Sequence, residues 1–327
     1  MGDSYAVIGL GSIASRHRKN IKEIFPKARI IAMSASGRKP VEKLHNVDYV
    51  ASDLEDVLME NPQWVVIASP ATLHSEHAKF FLNHKIPVLI EKPLTAKLVD
   101  AEALVEMAYA SDVPVSIAYC LRYMPASQIV KDNIEAGTIG TLYNVMASVG
   151  QYLPSWRDVD FRQSVSSRAS LGGGVLLELS HEIDYLQWIL GAMEVEFCLL
   201  RNSRQLNLEV EELADVVLTS KQSGTVCNIH LDFLQNPAQR MCQFIGSSGR
   251  IEWNLVNNTV TLHTSESVTM LHQEPTWDRN QMYISMLRDF DAYVAGLPNS
   301  CVRIAEAAQT IGIIENAKLK AVWGANV

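Results

Sequence analysis

In the first third of the chain, hydrophobic residues come in short continuous blocks separated by stretches with helical spacing. Tyr5–Ile8, Arg29–Met33, Trp64–Ala68, Pro87–Ile90 and Val113–Ala118 read as strands, with a shorter one at Tyr49–Val50. Between them, Ser12–Phe25, Leu54–Glu60, His74–Asn83 and Val99–Ala110 read as helices, and a weaker helical stretch lies near Val41–Leu44. Trp64 to Ala68 reads WVVIA, with no polar position at all. A strand apolar on both sides is buried on both sides, so this alternation predicts a parallel sheet covered by helices on each face.

The texture changes after about residue 122. A helix is predicted over Pro125–Ala136, stopped by Gly137. Then come runs with alternating or β-rich content: Tyr143–Tyr152, Glu196–Arg201, Ala214–Thr219, Thr225–Phe233, Gln239–Ile245, Arg250–Asn254 and Thr259–Thr264. Turn signals such as Gly246-Ser247-Ser248-Gly249 and Asn257-Asn258 separate them. They predict a large, mostly antiparallel sheet of at least six strands. Two helices, Asn280–Ala295 and Ala305–Val322, close the chain. The expectation is an α/β protein of two domains, a parallel-sheet domain over 1–122 and an α+β domain over 123–327.

Length and charge agree. At 327 residues the chain exceeds one ordinary core. Its 28 Lys and Arg against 36 Asp and Glu give a net charge of −8. That balance argues against a nucleic-acid or anionic-membrane binder, since both need a basic face. No apolar run reaches the ~18 residues of a membrane helix, and the start MGDSYAVIGLG lacks the basic region of a signal peptide. The five cysteines are scattered, with no C-x-x-C pair. They are expected to be reduced core thiols of a cytoplasmic protein, and no metal site is expected.

The first strand runs into Gly9-Leu10-Gly11-Ser12-Ile13-Ala14. Between strand and helix this G-x-G-x-x-A pattern suits a dinucleotide: Gly9 for the tight turn, Gly11 for close approach of a pyrophosphate, Ala14 for close helix packing. The free N–H groups of Ser12 and Ile13 at the helix start would face the phosphates. A glycine-rich turn without ligand is the alternative. The second strand ends IIAMSASGRKP, with no Asp or Glu between Glu23 and Glu42. Ser34, Ser36, Arg38 and Lys39 stand where an NAD site carries a carboxylate, which favours NADP, with NAD as the alternative.

Further motifs follow in order. Ser69-Pro70-Ala71-Thr72-Leu73-His74 ends one strand, and Glu91-Lys92-Pro93 ends the next. Arg122-Tyr123-x-Pro125 leads a helix with Ile134-x-x-Gly137-x-x-Gly140. Gly172-Gly173-Gly174 precedes a helix with His181-x-x-Asp184. Together they resemble the glucose–fructose oxidoreductase/inositol dehydrogenase family, Gfo/Idh/MocA, over almost the whole chain. The resemblance implies an N-terminal Rossmann domain, a C-terminal domain with a large open sheet, and a nicotinamide at the domain interface. It implies an NAD(P)-dependent oxidoreductase of sugars, cyclitols or related alcohols, assembled as a homodimer or homotetramer through that sheet. Ser69, Pro70, His74, Glu91 and Lys92 fall where the family binds its cofactor.

By the same resemblance, Lys92 matches the lysine beside the nicotinamide, often followed by a cis proline bond, and His181 matches the family's catalytic histidine. The residues support both. PVLIEKP places Lys92 at the carboxyl end of a buried strand, where α/β sheets bind ligands and a lysine can be desolvated for proton transfer. On one continuous helix, Glu178, His181 and Tyr185 fall within an arc of about 60°. Leu176, Leu179, Ile183 and Leu190 fall opposite, as a core stripe. The family's Asp four residues before the histidine is absent: Leu177 stands there, and Glu178 lies three before. Asp184 would orient the imidazole or cap a loop.

Between the sheet's first strand and this helix, Tyr152, Trp156, Arg157, Arg162 and Arg168 lie within seventeen residues. Either they receive an anionic sugar or nucleotide sugar, or the arginines pair with Asp158 and Asp160. Arg122 and Tyr119, at the domain junction, line the crevice in the family; for Tyr119 a packing role is the alternative. The expected reaction is hydride transfer at a secondary alcohol, with His181 exchanging the hydroxyl proton and Lys92 bonding the same oxygen, or the reverse. An NAD-dependent glycosidase of the same fold and a non-catalytic NADP sensor are the rival readings.

Overall fold

The computed structural model describes residues 3–38, 40, 43–156 and 160–324. The chain forms two compact units: residues up to Cys120 with Asn280–Ile311, and Leu121–Arg279 with the segment from Gly312.

In the first unit, β1 (Ser4–Ile8), α1 (Ser12–Ile24), β2 (Arg29–Met33), β3 (Tyr49–Ala51), α2 (Leu54–Met59), β4 (Trp64–Ile67), α3 (His74–Asn83), β5 (Val88–Ile90), α4 (Leu98–Ser111) and β6 (Val115–Ile117) alternate as expected. All six strands are parallel, in the order β3-β2-β1-β4-β5-β6. Every residue of β1, β4 and β5 is buried, which is why their sequences carry no alternation. Strand order reverses between β1 and β4, so the loops leaving these strands diverge at a switch point, the place where open α/β sheets take ligands. Of the stretch near Val41–Leu44, Val41 and Glu42 lie outside the described residues, and Lys43 and Leu44 are not helical.

In the second unit, α5 (Pro125–Glu135) and β7 (Leu142–Gly150) precede α6 (Val175–Glu178) and α7 (His181–Leu190). Seven strands follow: β8 (Met193–Arg201), β9 (Leu213–Ser220), β10 (Val226–Asp232), β11 (Gln239–Gly246), β12 (Gly249–Asn254), β13 (Thr259–His263) and β14 (Val268–Gln273). With β7 and β15 (Val322–Trp323) they form a nine-stranded sheet, β14-β13-β12-β11-β7-β10-β9-β8-β15. The β7–β10 and β8–β15 pairs are parallel and the rest antiparallel. One face is apolar and buried: Ala214, Val216 and Leu218 of β9, Cys227, Ile229 and Leu231 of β10. The other is left open, and Phe197, Met146, Val226 and Met270 are exposed on it.

The closing segment departs from a single boundary at 122. Before β15, α8 (Gln281–Val294) and the first half of α9 (Ile304–Lys320) return to the first unit. There α8 packs Phe290 edge-on to Trp64, 5.7 Å between centroids, and Asp291 accepts a 3.0 Å hydrogen bond from the Trp64 indole. α9 ends at Lys320, and Val322, expected to be helical, pairs with Leu199 in the sheet. All five cysteines are buried, and none is in a disulfide among the described residues.

Candidate active site

The glycine loop is built by two unlike glycines. Gly9 has φ +119, and a Cβ there would collide with the Ala68 carbonyl of the β4 loop, so the fold itself requires glycine. Gly11 is the N-cap of α1 with an extended backbone (φ −69), and a Cβ on it would meet nothing within 4 Å among the described residues. The protein leaves that space open. α1 has no side-chain cap and no acid in its first turn, so its leading N–H groups are available to an anion. Ser34, at the end of β2, has a buried hydroxyl with no partner among the described residues. An open cradle, a bare helix start and an unmet hydroxyl fit a dinucleotide laid across β1 and β2. Ser36 and Arg38 are exposed and bonded to each other at 3.1 Å; Lys39 lies outside the described residues.

The loops after β4 and β5 are pinned together by His74. Its Nε2 lies 2.8 Å from the Ser69 carbonyl, and its Nδ1 lies 3.0 and 3.2 Å from the Pro93 and Leu94 carbonyls. Burial lowers its pKa against the pull of those carbonyls. Expected as a cofactor contact, His74 spends both ring nitrogens on the protein. Glu91 does likewise: Oε1 meets His17 Nε2 at 2.6 Å, and Oε2 accepts the Lys92 N–H at 3.2 Å. Both are positioning residues for Lys92, which is half-buried at the end of β5 and followed by a cis bond to Pro93.

His17 is wholly buried on α1, and the Tyr283 ring of α8 stands edge-on to it at 6.2 Å. The Arg16 guanidinium lies over the Tyr283 ring, 4.7 Å from its centroid. Burial and the nearby Cys120 and Glu91 push the Tyr283 phenol far above its ordinary range, so it is a neutral wall. The sequence reading missed this group; the only signal was a His buried on the same helix face as Ala14 and Ile21. Tyr119 is fully buried.

In the second unit the helix carrying His181 is not continuous. α6 ends at Glu178, Leu179 and Ser180 interrupt, and α7 begins at His181. The common arc of Glu178, His181 and Tyr185 therefore does not exist. Tyr185 is 1% exposed, packed 5.1 Å from Trp253 and against Cys242, so it is core and does not line a substrate pocket. Two buried carboxylates in the first turn of α7 each face an arginine fork. Glu182 binds Arg240 of β11 at 2.7 and 2.9 Å, and Asp184 binds Arg122 at 2.7 and 3.0 Å. Arg122 also lies over Trp188, 5.6 Å from its centroid. Arg122 and Asp184, expected at the substrate and at the imidazole, bind each other, and the two pairs fix the first turn of α7, where His181 stands. Arg240 and Glu182 were not anticipated.

Of the three glycines ahead of α6, Gly172 caps a short turn at φ +81, and a Cβ on Gly173 would strike the Val165 carbonyl. A Cβ on Gly174 (φ +112) would strike the Glu211 carboxylate, whose Oε1 accepts the Leu176 N–H at 3.4 Å. Of the aromatic and arginine cluster, Tyr152 is partly exposed and Trp156 packs edge-on to Phe233 at 5.5 Å. Arg162 pairs with Asp160 at 2.9 Å, the salt-bridge alternative, while Arg168 is exposed and Arg157 lies outside the described residues.

Comparison with known proteins adds a lineage to this geometry. Residues 4–119 match an oxidoreductase family with an NAD-binding Rossmann fold, and residues 127–252 match the GFO/IDH/MocA C-terminal domain. Myo-inositol 2-dehydrogenase of Thermotoga maritima is 27% identical over 272 residues, 80% of this chain and 78% of that protein. The Bacillus subtilis scyllo-inositol 2-dehydrogenase (NADP(+)) IolU is 30% identical over 151 residues, 45% of each. The Bacillus subtilis oxidoreductase YrbE is 26% identical over 64% of this chain, which spans 60% of YrbE's length. Among solved structures, a levoglucosan dehydrogenase complex with NADH and levoglucosan superposes with a TM-score of 0.83 at 17% identity, over 98% of both chains. UDP-N-acetylglucosamine 3-dehydrogenase GnnA from Acidithiobacillus ferrooxidans gives 0.77 at 18% identity, over 98% of both chains. Those two likenesses are of fold.

Proposed function

The chain belongs to the GFO/IDH/MocA oxidoreductase family, and from that premise we propose that it moves a hydride between a nicotinamide dinucleotide and a secondary alcohol or ketone of a sugar-like substrate. The support is the convergence of three neighbouring strand ends in the first unit. β1 delivers the open Gly11 cradle, β4 the Ser69–Pro70 turn, and β5 Lys92. A bound nicotinamide supplies the hydride chemistry. Lys92 hydrogen-bonds the reacting oxygen and stabilises its charge, and His181 exchanges the hydroxyl proton, or the two trade roles.

NADP is the proposed cofactor. The end of β2 offers hydroxyls and Arg38 with no carboxylate near it in sequence. The substrate is proposed to be a neutral polyol or sugar. The support is that Arg122 and Arg162, two of the arginines expected to receive an anionic group, are paired with Asp184 and Asp160, while Arg168 is exposed. The open face of the nine-stranded sheet, with Phe197, Met146 and Val226 exposed, is proposed to bury itself against a second copy. Among the described residues no helix is long and apolar enough to cross a membrane.

Thermal-shift titration with NADP, NAD and a panel of cyclitols and sugars tests the reading, since a ligand that binds only the folded state raises the melting point by mass action. A shift with a dinucleotide, and reduced-nicotinamide absorbance rising one-for-one with oxidised product, is expected. No shift with either dinucleotide overturns it. Absorbance that never changes while a glycoside is cleaved replaces it with the glycosidase reading.

A further inference from the structure

Helix α1 turns Ala14, His17, Arg18 and Ile21 inward. Three of these suit a buried helix face: His17 is matched by Glu91, and the others are apolar. Arg18 does not fit. It is 2% exposed, yet no ion pair among the described residues includes it. Its Nη1 reaches the Gly9 carbonyl at 3.4 Å, the long limit of a hydrogen bond, and its Nε is buried without an acceptor. Desolvation lowers its pKa, with no neighbouring anion to offset the effect. A guanidinium has only donors, so what it lacks is an oxygen-rich anion.

The position of the guanidinium says which anion. Side chains on a helix slant toward its N-terminus, so the Arg18 stem runs back up α1 to the glycine loop, where its head meets Gly9. The Gly9 N–H donates to the Met33 carbonyl at 2.7 Å. The next residue is Ser34, whose hydroxyl is also buried and without a partner among the described residues, as is Nδ1 of His17 on α1. Two unmet donors thus flank one turn, between the ends of β1 and β2. The pyrophosphate is already served by the bare N–H groups at the start of α1. The end of β2 is where a Rossmann domain contacts the adenosine ribose.

We propose that Arg18 and Ser34 form the seat of the 2′-phosphate of NADP, with the buried guanidinium as its principal counter-charge. This rests on the NADP reading above, and it places the discriminating charge on α1, beneath the loop, as well as on the exposed Arg38. Arg18 is then an incomplete core residue that the cofactor's phosphate completes.

The test measures dissociation constants of NADPH, NADH, adenosine 2′,5′-bisphosphate and 5′-AMP by titration calorimetry, for wild type, Arg18→Met, Arg18→Lys and Ser34→Ala, together with the melting point of each without ligand. Arg18→Met is expected to weaken NADPH and the 2′,5′-bisphosphate by about 10- to 100-fold, to leave NADH and 5′-AMP within about twofold, and not to lower the ligand-free melting point. Arg18→Lys should recover part of the loss, and Ser34→Ala should weaken only the 2′-phosphorylated ligands. If wild type prefers the 2′-phosphorylated ligands and Arg18→Met keeps that preference, the assignment to Arg18 fails while the NADP reading stands. Equal weakening of NADPH and NADH also overturns it, by assigning Arg18 to the shared pyrophosphate. Wild type preferring NADH overturns the NADP reading itself. Should Arg18→Met not fold, Arg18→Lys and Ser34→Ala decide by the same ratios.

Discussion

Arg18 in the first unit and Arg122 in the second are both buried arginines, and they are treated in opposite ways. Arg122 meets both oxygens of Asp184 and lies over Trp188, and the less buried Arg240 meets both oxygens of Glu182. Arg18 has one long contact to a carbonyl. The second unit therefore holds its His181 turn by interactions complete within the protein. The glycine-loop end of the first unit holds its cation incompletely. Burying an ion without a partner costs several kcal/mol, and such a cost persists where a ligand offsets it. Paired charge marks scaffold; unpaired buried charge marks where the scaffold stops and the ligand begins.

The largest effect expected from breaking either region is on turnover. Lys92→Ala should lower kcat by about 10²- to 10⁴-fold, with the dinucleotide dissociation constant unchanged in a fluorescence titration. Near-normal turnover would remove Lys92 from the chemistry. Next comes the contrast between the arginines. Arg240→Met strands Glu182 in the interior and should cost about 3–5 kcal/mol in chemical denaturation, most of it restored by adding Glu182→Gln. Arg18→Met should cost the ligand-free protein nothing. If the two variants melt alike, the distinction between complete and incomplete ends is wrong.

The glycines offer a gentler version of the same comparison. Gly9→Ala must bend a backbone at φ +119 into the Ala68 carbonyl and should destabilise by about 1–3 kcal/mol or more. Gly11→Ala should leave ligand-free stability within about 0.5 kcal/mol, as at other unconstrained sites, but weaken dinucleotide binding. Loss of stability without loss of affinity in Gly11→Ala would mean that the cradle serves the fold alone.

The smallest effect separates two histidines by pH. Asp215 at 2.6 Å and Asp232 at 3.1 Å raise the pKa of His230, on the open sheet face, from 6.5 to about 9. The folded state then holds a proton the unfolded chain has lost. The stabilisation is complete below pH 6.5 and disappears as pH rises through 9. Burial lowers His74, so the unfolded chain takes up a proton that the folded one refuses, and stability falls as pH drops below 6.5. Melting temperatures across this range should decline on both sides, and His230→Gln should flatten the alkaline limb only. An unchanged alkaline limb would show that the triad contributes nothing.

Much of the fold was legible because burial on both faces leaves a plain mark: Trp64–Ile67 or Val88–Ile90 can be little else. The second sheet was legible wherever one face is covered, as in β9. It was illegible at the edges. β14 is mostly exposed and has no alternation to read, and β15 is two residues long. The break between α6 and α7 was invisible because Leu176, Leu179 and Ile183 keep helical spacing across it. Which sheet α8 covers is not written in α8, since an amphipathic face fits either. At the proposed site, Gly9 follows from local pattern, and Lys92 and His181 from the family resemblance that local pattern supports. The groups that position them do not: Arg240 lies 58 residues from Glu182, and His17 lies 74 from Glu91.

His74 grips its neighbours by main-chain oxygens alone, those of Ser69, Pro93 and Leu94. Every amino acid has that oxygen. As far as this grip is concerned, the side chains at 69 and 94 are free to drift, or to be redesigned, without loosening the loop that holds Lys92. A loop held this way keeps its lysine in place through a bond that outlives side-chain change, so that position 69, which also meets His77, and position 94, which is wholly buried, answer to their own neighbours and not to His74.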